Sequence, residues 1–433
     1  MDNYLNYNVN FNRHIFTILW VTPFLYIPFG PTYSALPKVF FFSMYTVFIF
    51  IEWYMKDKKS LLRFDVYDKT LGLYLLLLCL NFLITPDIPR TIWGIPSRHE
   101  GVLTLFVYGM LYFLAKHHFR FNRRYFNGLI FILCLFSAHG IMQYYGVDFM
   151  PRATFQENWH RAFSTFGNPN FFSAYLVLML PLPMFAYLYQ AMNKKTLING
   201  YLLATGLVYY CLLATLTRSG WVGFFASCLL FIILVRLQGY HWKYLIMLFT
   251  LLAILTLIFD ILSQGQIFGR LLRILLDAGS VVLQTEGFEN AGSHRWFIWM
   301  KVVDLIKMYP LLGVGIETLD LAFDKFFYMD VVSHLGYYLR FDKAHNEYLH
   351  IAVTAGIPAL LVYLVFIGRL VRKAVSSYAQ NHLSIPLLCS IIGYLVQAFF
   401  NISTVFASYA FWLFLGATLA ISQNNNDSDK IVM

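Results

Sequence analysis

Long apolar runs separated by short polar segments constrain this chain more than any other feature. Of its 433 residues, 59% are hydrophobic and only 12% are charged, whereas soluble domains have about 25% charged residues. About 20 helical residues cross the roughly 30 Å hydrocarbon core of a bilayer. Backbone polar groups in lipid must bond within the protein, which favours helices. We therefore predict an all-α, polytopic membrane protein whose main partner is the lipid bilayer.

The apolar runs predict about twelve transmembrane helices, at residues 13–30, 36–55, 66–85, 101–116, 124–145, 170–192, 197–216, 219–236, 243–262, 347–371, 382–402 and 404–422. The first nine lie within residues 1–262 and the last three within 347–422. Residues 263–346 form the one long hydrophilic stretch, called the lid segment below. Residues 423–433 are a short polar tail. This division predicts two membrane-embedded parts joined by one folded loop.

The distribution of basic residues predicts the orientation in the membrane. With the N-terminus in the cytoplasm, the predicted inner segments hold 18 Lys and Arg residues and the short outer loops hold 6. Both termini are then cytoplasmic and the lid segment is extracytoplasmic. Because this bias explains most of the net charge of +10, we predict no nucleic-acid partner.

The lid segment contains two amphipathic stretches, "QIFGRLLRILLDAGSVV" and "SHRWFIWMKVVDLIKMYPLLGVG". In the second, the helical spacing predicts an apolar stripe made of Trp296, Trp299, Val303 and Ile306. Ser293 is a candidate N-cap for this helix. Amphipathic helices of this type usually lie at the membrane interface or on the membrane domain.

Polar side chains recur at the predicted outer ends of the spans and in the lid segment. Those at span ends are Arg98, Arg161, Asn168, Asn170, Arg218, His345 and Asn346, and the one in the lid segment is Arg295. Arg218 stands out because it interrupts a nearly continuous apolar region, where an arginine costs about 2.5–3.5 kcal/mol near a helix centre. It is either an interfacial arginine that reaches the headgroups or a fixed cation facing a polar cavity, suited to phosphate. Arg98, Arg161, Asn168 and Asn170 fit loop and cap positions as well as substrate binding.

His345 is a candidate general base, because an unperturbed imidazole is largely neutral near pH 7. A structural residue at a helix end is the alternative. "HNEYLH" lacks the spacing of a helical zinc site, and the five cysteines lie singly in apolar runs. We therefore predict no metal and no cofactor. Glu347 is expected to be an exposed residue of the first helical turn.

Several blocks resemble the O-antigen ligase and polymerase superfamily. In "HNEYLHIAVTAGIPA", His345 and Asn346 are followed by nine residues and Gly356, as in the family signature, and Ala359 stands where the family has Gly, Thr or Tyr. "LTRSGWVGFFAS" is similar to the family's arginine motif. "GSHRWFIWMKVVDLIKMYPLLGVGIETL" and "STFGNPNFFSAYLVLMLPL" also resemble family segments, so the resemblance covers about residues 90–422.

The resemblance implies a metal-independent glycosyltransferase with a helical membrane fold of the C type. It implies transfer of a glycan from a polyprenyl-diphosphate carrier, such as undecaprenyl diphosphate, to a hydroxyl of a glycan, lipid or protein acceptor. The reaction would take place on the outer face of the bacterial inner membrane. Arg218 and Arg295 would bind the diphosphate and His345 would be the base. Asn346, Arg98, Arg161, Asn168 and Asn170 would contact substrate. Ligases and polymerases share these motifs.

Two other functions remain open at this level. A transporter or flippase of lipid-linked glycan would also have many spans and basic residues, although no internal repeat is evident in the two halves. A scaffold of a glycan-export complex would use the lid segment as a docking surface. The first alternative predicts donor trapped on the cytoplasmic leaflet in a deletion strain. The second predicts that alanine at His345 has no effect.

Overall fold

A computed structural model describes residues 2–26, 35–61, 63–149, 160–284 and 288–423. The predicted tail beyond residue 423 therefore lies outside the described residues. The described part contains helices and no strands. The helices are α1 Asp2–Val21, α2 Leu36–Leu61, α3 Val66–Cys79, α4 Ile88–Trp93, α5 Val102–His118, α6 Arg123–Tyr144, α7 Pro169–Met179, α8 Pro181–Lys194, α9 Gly200–Ala214, α10 Arg218–Leu237, α11 Trp242–Leu262, α12 Gln266–Leu283, α13 Arg295–Met308, α14 Leu319–Phe326, α15 Tyr328–Leu335, α16 Glu347–Ala355, α17 Ile357–Ser377, α18 Ser384–Ala398 and α19 Ser408–Gln423.

The predicted all-helical membrane architecture is confirmed, and each predicted span overlaps a helix or a helix pair. By length and composition, six helices of the described part can cross a bilayer: Leu36–Lys58, Val66–Leu83, Arg123–Tyr144, Pro169–Lys194, Arg218–Leu237 and Trp242–Leu262. Two shorter apolar helices are Gly200–Ala214 and Ser384–Ala398. The count of twelve spans stays a prediction.

Two of the predicted spans each consist of two helices rather than one. The sixth is the pair α7 and α8, which meet at Leu180 without leaving the helical conformation (φ −62°, ψ −34°). The tenth is interrupted at Gly356, whose φ of +90° ends α16 and starts α17 in a new direction. The tenth span is therefore not one straight helix. Its first two turns form α16, which begins directly after His345 and Asn346.

The bundle core is built on close helix pairs. α5 packs along α19, α10 along α18, α6 along α9 and α3 along α17. At the α10–α18 crossing, a Cβ on Gly223 would lie 2.6 Å from the carbonyl oxygen of Gly393, so only glycine permits this approach. Small residues at crossings are typical of helices in lipid. The pairing brings the start of α10, which carries Arg218, beside the end of α18.

The lid segment folds into α12 to α15 with a small apolar core of its own, formed by Phe297, Ile298, Val302, Leu305, Leu319, Phe323, Val331 and Phe341. The core of the lid segment therefore buries a different face of α13 from the predicted stripe. Val303 is exposed, and Trp296 and Trp299 are only partly buried. Apolar residues lie on two faces of this helix, and tertiary packing buries the face of Phe297, Ile298 and Val302 most completely.

The predicted cap of α13 is also wrong. His294, with φ of +64°, precedes the helix, and no side chain caps it. The Ser293 hydroxyl instead accepts a hydrogen bond from the Arg218 Nη2, at 3.2 Å. Ser293 therefore joins the lid segment to α10 rather than starting a helix.

Candidate active site

Two predicted arginines line one cavity. Arg218 is the first residue of α10 and Arg295 the first of α13. They are far apart in sequence, yet both contribute to a cavity of about 350 Å³ between α10, α12 and α13. We call it the arginine cavity. Its formation requires the lid segment to fold back over the bundle.

Arg218 is held in place by two side-chain hydrogen bonds. Its Nη1 donates to the Asp277 carboxylate at 2.7 Å, and its Nη2 donates to the Ser293 hydroxyl at 3.2 Å. The same Asp277 oxygen accepts from the Gly292 N–H at 3.2 Å. A guanidinium, a backbone N–H and a carboxylate thus meet at the cavity wall. Arg218 lines this cavity, and its predicted role in binding phosphate stays a prediction.

Arg295 is a second cation without a carboxylate partner among the described residues. Its Nη1 donates to the carbonyl oxygen of Phe400, just beyond α18. Burial, and then the positive charge of Arg218, lower the pKa of Arg295 to about 10. It still carries its proton at neutral pH. Two nearby cations and one carboxylate leave net positive charge in the cavity, which favours an anion with more than one negative charge.

The rest of the cavity wall is apolar, formed mainly by Val222, Ile274, Val281, Trp296, Trp299 and Phe400. An amphiphile with an anionic head and a hydrocarbon tail matches this division. Trp296 and Trp299 of the predicted stripe line this cavity, and Trp299 also packs against Phe399 and Phe400 at the end of α18. The cavity is therefore suited in both charge and polarity to a lipid phosphate.

His345 lies just before α16 and has φ of +52°. Trp299 of the cavity donates its Nε1–H to the carbonyl oxygen of Ala344, at 3.0 Å, so α13 fixes the backbone next to His345. The imidazole makes no hydrogen bond to any residue that the structure describes. Burial lowers the pKa of His345 to about 4, with Arg295 and Arg98 lowering it further and Asp342 opposing them. The imidazole is neutral at pH 7 and available to accept a proton.

Arg98 and Asn346 flank His345 but are already engaged. The Arg98 Nε donates to the Asp342 carboxylate at 2.9 Å, and the Arg98 charge, against the effect of burial, helps to hold the pKa of Asp342 below its ordinary value. The Asn346 Oδ1 accepts from the Leu349 N–H at 3.0 Å and caps α16. These contacts orient the loop that carries His345. A role of either side chain in binding substrate stays a prediction.

Arg161, Asn168 and Asn170 gather on the other side of Arg218, around Thr217. Arg161 donates to the Thr215 carbonyl at 2.9 Å and to the Thr217 hydroxyl at 3.1 Å. Asn170 accepts from the same hydroxyl at 3.3 Å, while Asn168 caps α7. Arg161 and Asn170 thus support the turn before Arg218, Asn168 caps α7, and none of the three lines the arginine cavity.

Several residues near the site escaped sequence analysis. Asp277 of α12 and Asp342 pair with Arg218 and Arg98. Lys343 is buried between Glu317 (2.6 Å) and Glu100 (3.4 Å). An isolated charge in an amphipathic stretch is normally solvated, so only the pairing across the chain reveals these residues. A lysine two residues before His345 was the one available signal.

Glu347 is buried, so the prediction of an exposed first-turn residue is wrong. It is 7% exposed rather than solvated, and its Oε1 accepts from the Tyr363 hydroxyl at 3.1 Å. The break at Gly356 turns the start of α16 inward, so its first turn is covered by α17. Within the described ranges, no three His, Cys, Asp or Glu side chains come together in a way that could hold a metal ion.

Part of the chain matches a known family. Residues 201–364 match the family model of O-antigen ligase. The match confirms the resemblance to the O-antigen ligase and polymerase superfamily and supports glycan transfer at the level of that family. The O-antigen ligase region includes Arg218, Arg295 and His345, together with the whole lid segment. It implies a lipid-linked glycan donor and a membrane environment. No curated protein matches the chain.

Proposed function

We propose that this protein transfers a glycan from a polyprenyl-diphosphate carrier to an acceptor hydroxyl, as a ligase or polymerase of surface polysaccharide. The observation that carries the proposal is the arginine cavity, which joins Arg218 and Arg295 to an apolar wall. The diphosphate would lie on the two guanidinium groups and the first isoprene units along the wall. The arginines would stabilise negative charge that develops on the leaving diphosphate, so no metal ion is part of the proposal.

In this mechanism His345 removes the proton of the acceptor hydroxyl as its oxygen attacks the anomeric carbon. The bond between that carbon and the diphosphate oxygen breaks, and the diphosphate leaves with the electron pair. A single displacement inverts the anomeric centre. Donor binding also strengthens the base. Arg295 and Arg98 lower the pKa of His345, and an anionic donor offsets those charges and raises it.

The proposal includes the membrane in which the protein lies and the side that carries the active site. The positive-inside bias and the polar span ends favour a multi-pass protein of the bacterial inner membrane with cytoplasmic termini and an extracytoplasmic active site. The donor would then reach the arginine cavity from the outer leaflet. The acceptor, whether glycan, lipid or protein, would approach His345 from the aqueous side.

The test compares surface and lipid-linked glycans in cells with wild type, His345→Ala or His241→Ala. His241 is exposed between α10 and α11 and serves as the matched control. We expect His345→Ala to reduce transfer about 100-fold or more, as for loss of a general base. Accumulated single repeat units identify a polymerase, and accumulated full-length chains on the carrier identify a ligase.

Three outcomes contradict the proposal. Unchanged pools in folded His345→Ala would remove the base mechanism. Donor retained on the cytoplasmic leaflet would indicate a flippase. Full glycan output from Arg218→Ala and Arg295→Ala, both present at normal levels, would remove the diphosphate site.

A further inference from the structure

Asp277 already occupies the position where an anion binds Arg218. One carboxylate oxygen accepts both the Arg218 Nη1–H at 2.7 Å and the Gly292 N–H at 3.2 Å. A guanidinium and a backbone N–H are the donors that proteins use for phosphate oxygens. The internal carboxylate therefore makes the contacts that a phosphate oxygen of a donor would make.

Asp277 also holds the second half of α12. At its first half, the helix is attached by the Asp260 carboxylate, which accepts from the Ile267 N–H at 2.8 Å, and by Arg270, which donates to the Leu216 carbonyl at 3.1 Å. Beyond Arg270, and within the described residues, Asp277 provides the polar side-chain contacts of α12 to other elements. Loss of this one contact would free two turns that cover the arginine cavity.

The outer face of the same helix is apolar and exposed, with Leu272, Leu275, Leu276, Val282 and Leu283 each more than half exposed. A helix with this face lies in the membrane interface with its apolar side in the acyl region. No residue in the second half of α12 is fully buried, so apolar packing of this part on the bundle is partial. Within the described residues, the ion pair at Asp277 is the polar side-chain contact that joins it to α10.

We propose that Asp277 is an internal competitor that the donor diphosphate displaces, so that this residue sets the affinity for the donor. The inference rests on the proposed function. The diphosphate takes over Arg218 Nη1 and the Gly292 N–H, and the carboxylate moves outward with the second half of α12. Both anions cannot stay, because like charges a few ångströms apart repel strongly in a partly buried site. Displacement of Asp277 uncovers the cavity only when a donor is present.

The experiment measures binding of farnesyl diphosphate and farnesyl monophosphate to the purified full chain in lipid nanodiscs. Asp277→Asn keeps the shape but loses the charge, and we expect it to bind both probes about fivefold more tightly, the worth of a half-exposed ion pair. Equal gains are expected because the same carboxylate is displaced for either probe. Asp277→Ser replaces Asp277→Asn if the latter does not fold.

Two controls separate this effect from net charge. Asp277→Glu keeps the negative charge and should bind like wild type. Asp304→Asn removes a carboxylate that pairs with Lys307 on the exposed side of α13, outside the cavity, and should also leave binding unchanged.

Each other outcome has a distinct meaning. Unchanged or weaker binding by Asp277→Asn overturns the competition, since the carboxylate would then be neutral or would support the site. A gain for the diphosphate alone overturns displacement, because it means that Asp277 stays beside the ligand and repels it. No binding of either probe to wild type or any variant overturns the proposed donor itself. The inference falls with it.

Discussion

At His345, burial and the surrounding charges determine the protonation state of the imidazole. Its ring is neutral because burial and two arginines lower its pKa to about 4. A base with so low a pKa is always available but weak, since the strength of a general base follows its pKa. An anion on Arg295 reverses part of that shift. Under the proposed mechanism, we therefore expect His345 to become an effective base only when the donor is bound.

The pH dependence of transfer tests this interpretation. The rate at low donor concentration reports the free enzyme, and His345 must be unprotonated. We expect this rate to be constant from pH 8 to about 5.5 and to fall below pH 5, towards the pKa of about 4. At saturating donor the fall should begin at higher pH, because the bound diphosphate raises the pKa of His345.

An apparent pKa near the ordinary 6.5 at low donor concentration would contradict the expected environment of His345. The free energy of unfolding should also decrease as the pH falls. The unfolded state binds the proton more readily, so the shift destabilises the fold as the pH falls from 6.5 through about 4. Thermal unfolding of wild type and His345→Gln across this range measures that contribution.

Among the elements, the junction of α16 and α17 is fixed by the lid segment. The interruption at Gly356 leaves the last carbonyl groups of α16 without intrahelical partners. The N–H groups of Val314 and Gly315 donate to the carbonyl oxygens of Val353 (2.8 Å) and Thr354 (3.1 Å). The Ile357 N–H donates back to Pro310 at 2.8 Å. The family glycine thus has a structural role, which is to dock the lid segment beside His345.

Gly356→Ala should disrupt this junction. The residue has φ of +90°, and its Cβ would lie 2.0 Å from the carbonyl oxygen of Leu311. A side-chain movement relieves neither the backbone strain nor the clash with a backbone oxygen. We therefore expect a loss of stability on the order of 3 kcal/mol or more. Thermal unfolding in detergent measures it.

Gly368→Ala is the matched control for this change. It lies in α17 with nothing within 4 Å of its Cβ, and it should be neutral or slightly stabilising because alanine favours the helix. Equal melting temperatures for the two variants would show that the junction does not depend on glycine.

Across the whole molecule, a buried charge network joins parts of the chain that are distant in sequence. Lys343, before α16, reaches Glu317 of the lid segment and Glu100, before α5. The Ser403 hydroxyl, before α19, also donates to Glu100 at 2.6 Å. These contacts thus join the segments before α5, α16 and α19 and the lid segment, next to the loop that carries His345. The network fixes how the lid segment sits on the bundle.

Lys343→Met should therefore destabilise the entire fold. It leaves two buried carboxylates without a counter-charge, a change that costs about 3–5 kcal/mol. Adding Glu317→Gln to Lys343→Met should restore part of the loss. Lys301→Met is the control, because Lys301 pairs with a half-exposed Asp330 and such pairs are worth about 1 kcal/mol or less. Similar melting temperatures for Lys343→Met and Lys301→Met would contradict a structural role of the network.

The sequence by itself determined that the chain is helical and membrane-embedded, and it identified Arg218, Arg295 and His345 as candidates. Apolar length and composition act locally along a helix, and an arginine in such a run is conspicuous wherever the helix packs. Only the tertiary structure decided which charges meet. Asp277, Glu317 and Lys343 look like ordinary solvated residues in sequence, and the face that α13 buries was ambiguous. Ion pairs and buried helix faces depend on which distant segments pack together. A local sequence pattern carries no information about that packing.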